Sequence, residues 1–219
     1  MSMSIPGIDR LHWFGGSSFR WDGTKTVYFD PWKLNGKTEP KADIIFISHE
    51  HFDHYSPEDV ASIASKKTVI VCSKAVYGEL GGSGISVKET RPLDPGQEAS
   101  LPDIKIKAIA SYNIGKAFHA RDSNKLGFVV NMDGISIYHA GDTDRIPEMK
   151  DIACDIALLP VGGTYTMNAD EAASAALDIK PKIAVPMHYG DSVGSARDAG
   201  RLKELLEGKI EVKILPKER

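Results

Sequence analysis

The stretch "SHEHFDHYS", Ser48 to Ser56, sets three of the chain's seven histidines and an aspartate within six residues, its first serine closing the apolar run "DIIFIS". Such a run reads as a buried strand, so the loop behind it is anchored at a strand end, where side chains can be aimed inward. A solvated polar loop would rarely draw three histidines from so small a pool. His49, His51, Asp53 and His54 have the form H-x-H-x-D-H, and imidazole with carboxylate suits zinc, iron or manganese. Adjacent Asp53 and His54 would have difficulty converging on one centre together with His49 and His51. Two neighbouring ions are the easier geometry, and they require further ligands later in the chain. Asp142 in "YHAGDTD" and His188 in "VPMHYG" are the candidates, each at the end of an expected strand.

The rest of the chain reads as a layered α/β structure. "RLHWFG", "SFRWD" and "KTVYFD" form an antiparallel meander, "TVIVCS" follows as a strand, and Ser56 with Pro57 opens a helix to about residue 66 between them and it. Later strands are "IKIKAIASY", "LGFVVNM", "ISIYHAG", "DIALLPV" and "KIAVPMH". Asn168 with Glu171 begins a capped helix to Ile179; a last helix over 195–206 precedes a closing strand "EVKIL". At 219 residues with no low-complexity linker, the chain is expected to be a single domain over 1–219, both halves sharing one core.

A net charge of −3 argues against a general polyanion-binding surface, so nucleic acid is not favoured as a partner. The opening "MSMSIPGIDRLHWF" lacks a basic start and apolar stretch, and no run spans a bilayer, which predicts a cytoplasmic protein without a membrane partner. Cys72 and Cys154 sit in apolar segments without metal-type spacing and read as buried free thiols. His12 and His139 read as structural.

Taken together, H-x-H-x-D-H after a strand, "AGDTD", "PMHYG" and the Asp-Pro strand end in "YFDPW" resemble the metallo-β-lactamase superfamily. The "IYHAGDTD" and "PMHYG" forms look closest to the branch holding L-ascorbate-6-phosphate lactonase and metal-dependent hydrolases of uncharacterised substrate. The resemblance implies an αββα sandwich of the metallo-β-lactamase type. It implies two divalent ions, zinc or manganese: His49 and His51 on the first, Asp53, His54 and His188 on the second, and Asp142 bridging. The usual seventh ligand is either Asn113 or His119. His119 is favoured, since amides bind zinc weakly and a loop with Gly115 could bring the imidazole inward. Where many relatives have a histidine in the early glycine turn, this chain has Gly16.

Two such ions would hold hydroxide near neutral pH and polarise a carbonyl or phosphoryl oxygen, with Asp53 as the catalytic residue that orients the nucleophile. Two divalent cations outweigh two carboxylates and one hydroxide by a single positive charge, so a small anionic ester, lactone or phosphodiester is the expected substrate. "GGTYTMNADE" lies at a helix start where amides can receive an anion, making Tyr165 and Thr166 candidate substrate contacts. Lys116 and Arg121 read as solvated loop charges or as anion contacts. The rivals are a mononuclear iron dioxygenase on the same fold, a diiron redox enzyme, a ribonuclease, and a non-catalytic metal-binding protein. A homo-oligomer is compatible with the sequence.

Overall fold

The computed structural model describes residues 7–34 and 39–218; the first six residues of the stretch read as leaderless lie outside them. Two compact units are present. The N-terminal unit comprises residues 7–94 with 216–218, and the C-terminal unit runs from Pro95 to Leu215.

The N-terminal unit is a six-stranded sheet in sequence order: β1 (Leu11–Gly15), β2 (Ser18–Asp22), β3 (Thr26–Phe29), β4 (Ile44–Ile47), β5 (Val69–Ser73) and β6 (Glu89–Leu93). The first three strands are antiparallel, as the meander reading requires, and β3 through β6 are parallel. Burial of all four β4 residues explains its unbroken apolar run, since a central parallel strand is covered on both faces. Helix α1 (Pro57–Ile63) is capped by the Ser56 hydroxyl, which accepts from Asp59 N at 3.2 Å. It stops before the expected residue 66 because Ala64 turns extended and Ser65 N donates to Thr68 Oγ1 at 2.9 Å. Helix α2 (Lys74–Leu80) and strand β6 were not expected from the sequence. Residues 216–218 return to this unit: Lys217 bridges Trp13 in parallel, and Glu218 N donates to the Trp13 carbonyl at 2.7 Å.

The C-terminal unit holds β7 (Glu98–Leu101), β8 (Ile104–Ala110), β9 (Leu126–Met132), β10 (Ile135–His139), β11 (Ile156–Pro160), β12 (Ile183–Met187) and β13 (Glu211–Val212), in that spatial order. Strands β7 to β10 are antiparallel; β10 to β13 are parallel, with α3 (Ala169–Ile179) and α4 (Ala196–Leu205) making the last two crossovers. The Asn168–Glu171 capping box forms in both directions at 2.9 Å, so α3 begins and ends where the sequence predicts. β13 keeps only two of the five residues expected of "EVKIL". No helix among the described residues is long and apolar enough to cross a membrane.

Candidate metal centre

In the N-terminal unit the histidine loop leaves the end of β4 and is organised by Asp30, just past β3. Asp30 is buried and adopts φ 44°, a left-handed backbone that places its carboxylate beneath the loop. Its Oδ1 accepts from Ser48 N at 2.7 Å; its Oδ2 accepts from Ser48 Oγ at 2.7 Å and faces His54 Nδ1 at 2.6 Å. A carboxylate only accepts, so His54 carries its proton on Nδ1 and its Nε2 is left unprotonated. Ser48 has one hydroxyl proton and gives it to Asp30; its oxygen, 2.9 Å from His49 Nδ1, therefore accepts from that ring. His49 is thereby set in the same tautomer as His54.

The His49 Nε2 to His51 Nδ1 distance is 3.1 Å. Tetrahedral zinc with bonds of about 2.0–2.1 Å holds its nitrogens about 3.3 Å apart, so this pair has the spacing of two ligands on one ion. Asp53 Oδ2 lies 4.0 Å from His54 Nε2, a wider ligand-to-ligand gap within the same loop.

In the C-terminal unit, Asp142 follows β10 and His188 follows β12. Asp142 Oδ2 stands 3.3 Å from His188 Nε2 and 3.7 Å from His119 Nε2, so one carboxylate oxygen faces two imidazoles. All three side chains are buried. His188 has φ 55°, and its carbonyl packs against Gly162, where no side chain intervenes. His119 Nδ1 lies 3.0 Å from Asn113 Oδ1 and 3.2 Å from the Tyr165 carbonyl, both acceptors, which again fixes the proton on Nδ1 and leaves Nε2 unprotonated. Asn113 Oδ1 thus accepts from the His119 ring, and Asn113 Nδ2 is spent on Asp144 Oδ1 and the Tyr165 carbonyl.

The donor set of each unit therefore fits a divalent cation. Among the other histidines, His12 sits between Asp22 and Glu218, and His139 Nδ1 accepts from Gly141 N at 3.3 Å, bracing the turn that delivers Asp142. Gly16 has φ +51°, with the Trp32 ring 3.1 Å from where a Cβ would stand, so a histidine there would be strained. Both cysteines are free, and burial pushes the Cys72 and Cys154 thiols up to about 12.

Several of the amides expected to receive an anion at the α3 start are otherwise engaged. Met167 N donates to the Thr143 carbonyl, while Asn168 N and Glu171 N serve the capping box. Thr166 is fully buried, its hydroxyl donating to the Met167 carbonyl at 3.2 Å. Tyr165 is half-buried with its ring edge-on to the exposed Phe118, centroids 4.7 Å apart. Lys116 is held by Asp144, and Arg121 pairs with Glu148 over the Tyr112 ring, so neither is a bare anion contact. Sequence reasoning quoted Asp30 only as part of a strand-end motif and passed over Ser48. The signal for both was present in Asp-Pro after one strand and Ser-His after the next.

The profile of the beta-lactamase superfamily domain matches residues 10–188. A metal-dependent hydrolase of the UPF0173 group from Thermoplasma acidophilum is 35% identical over 207 residues, covering 90% of each chain. The chain belongs to the metallo-β-lactamase superfamily. Its fold is that superfamily's: the solved structure of a Parabacteroides distasonis protein assigned as a metal-dependent hydrolase matches with TM-score 0.84 and 33% identity, over 95% of this chain and 93% of that one. Igni18, a metallo hydrolase from Ignicoccus hospitalis, matches with TM-score 0.78 and 25% identity, over 95% of each. Within this superfamily the relatives named above are metal-dependent hydrolases, and the His and Asp donors of the present chain have the chemistry to bind metal.

Proposed function

We propose that this chain is a binuclear metal-dependent hydrolase acting on a small anionic ester, lactone or phosphodiester. The observation that carries the reading is the shared tautomer of His49, His54 and His119, each with Nδ1 engaged by an oxygen so that Nε2 is the ligating atom. Two separate hydrogen-bond arrangements, the Asp30–Ser48 pair beneath His49 and His54 and Asn113 beside His119, favour one protonation state, as metal-binding imidazoles require. His49, His51 and His119 are assigned to one ion, Asp53, His54 and His188 to the other, and Asp142 to both. We read the two units as halves of one domain, in keeping with a family profile that runs through both.

Bound zinc or manganese would acidify water and polarise the oxygen of the scissile group. Asp53, its side chain 15% exposed, is proposed to accept and return a proton as the nucleophile forms and the leaving group departs. Tyr165 is proposed as a substrate contact, since its half-buried ring borders the His119 loop. Free thiols in a chain with two cysteines accord with a reducing, cytoplasmic setting.

Metal analysis of protein purified without chelator tests the assignment first. Close to two zinc or manganese ions per chain is expected, followed by turnover in a screen of anionic esters and phosphodiesters. His51→Ala and Asp142→Ala should each strip metal and abolish hydrolysis, whereas His12→Ala should keep the metal. A single iron per chain would turn the reading to the dioxygenase, and full activity in Asp142→Ala would end it.

A further inference from the structure

The buried Asp144, two residues beyond Asp142, gathers donors from three points of one loop. Its Oδ1 accepts from Lys116 Nζ at 2.5 Å and from Asn113 Nδ2 at 3.1 Å, and its Oδ2 accepts from Ile114 N at 2.8 Å. Its own amide donates to the Tyr112 carbonyl at 2.9 Å, so the carboxylate is itself tied to the strand end from which the loop departs. Lys116 Nζ also donates to the Thr166 carbonyl at 2.6 Å, and Asn113 N donates to the His119 carbonyl at 2.7 Å, which closes residues 113–119 into a ring. The polar face of the loop is therefore fixed, while Ile114 and Phe118 remain more than half exposed.

From this geometry we infer that Asp144 is a positioning residue for His119. It fixes Asn113, and Asn113 in turn holds the His119 imidazole by its Nδ1–H. A second acceptor facing Nδ1, the Tyr165 carbonyl at 3.2 Å, is itself bonded by Asn113 Nδ2 at 2.9 Å, so both acceptors are ordered through Asn113. The charge-assisted bond to Lys116 supplies the second anchor, on the far side of Gly115. The inference rests on reading His119 as a ligand, but the imidazole's placement can be observed without any ion.

The test is nitrogen-labelled histidine NMR on the full chain, chelator-treated and then titrated with zinc. In the parent protein the His119 Nδ1–H should exchange slowly with water; in Asp144→Asn its exchange should accelerate at least about tenfold, while the His54 Nδ1–H against Asp30 stays protected. One of two zinc affinities should fall about 10–100-fold, the loss usual when a ligand's supporting partner is removed. Lys116→Met, a change at a partly exposed side chain, should act in the same direction and decides the matter if Asp144→Asn does not fold. Unchanged His119 exchange in the folded variants overturns the inference even if two ions bind. Conversely, altered exchange in a protein that takes up no zinc upholds the positioning role and removes the binuclear reading.

Discussion

A Cβ placed on Gly162 would stand 2.4 Å from the His188 carbonyl oxygen and 2.8 Å from Val193 Cγ2. Neither neighbour can withdraw easily: His188 already sits at φ 55°, and the carbonyl is backbone. Gly162→Ala is therefore expected to cost about 1–3 kcal/mol, the usual range for overpacking, and to displace His188, a proposed ligand, while doing so. Urea denaturation together with zinc content measures both, and a variant matching the parent in each would show that the contact relaxes without consequence. At this scale the sequence was informative wherever chemistry was dense. Four ligand-type side chains in six residues were legible at once; Asp30 was not, because an aspartate before proline has the appearance of a turn residue until its partners on the neighbouring strand are known.

Among the elements, α3 was legible to the residue since cap, box and apolar face agree. Asn168→Ala removes the acceptor for Glu171 N and should destabilise by about 1 kcal/mol, read as a lower thermal midpoint with zinc content unchanged. A loss of zinc in that variant would mean the α3 start communicates with the metal ligands. The elements that sequence reasoning missed share a physical cause. β6 and β7 are edge strands, one carrying Pro92 and both lacking an apolar alternation, since only Leu93 among their residues is buried. Helix α2 buries only Val76, so its seven residues carry no amphipathic stripe, although the Ser73 cap was there to be read. β13 was overestimated because "EVKIL" alternates well, yet pairing ends at Val212.

For the molecule as a whole, each unit carries proposed metal-binding side chains, so metal should contribute to the stability of each. At free zinc about a hundredfold above its dissociation constant, linkage supplies about 2.7 kcal/mol, equivalent to a midpoint shift of roughly 5–10 °C for a protein of this size. Chelation should lower the calorimetric transition by that amount and zinc should restore it; identical scans with and without chelator would remove metal from the account of stability. The family was legible over most of the chain because its motifs mark strand ends.

The pairing of Lys217 with Trp13 has a consequence for the order in which the protein is made. β1 leaves the ribosome long before residues 216–218, which pair along its outer edge. At about 5–20 residues per second the interval is roughly 10–40 s. Throughout it the nascent sheet presents open backbone donors and acceptors to whatever other strand it meets. Residues 216–218 thus determine how long β1 of the newborn chain is open to mispairing.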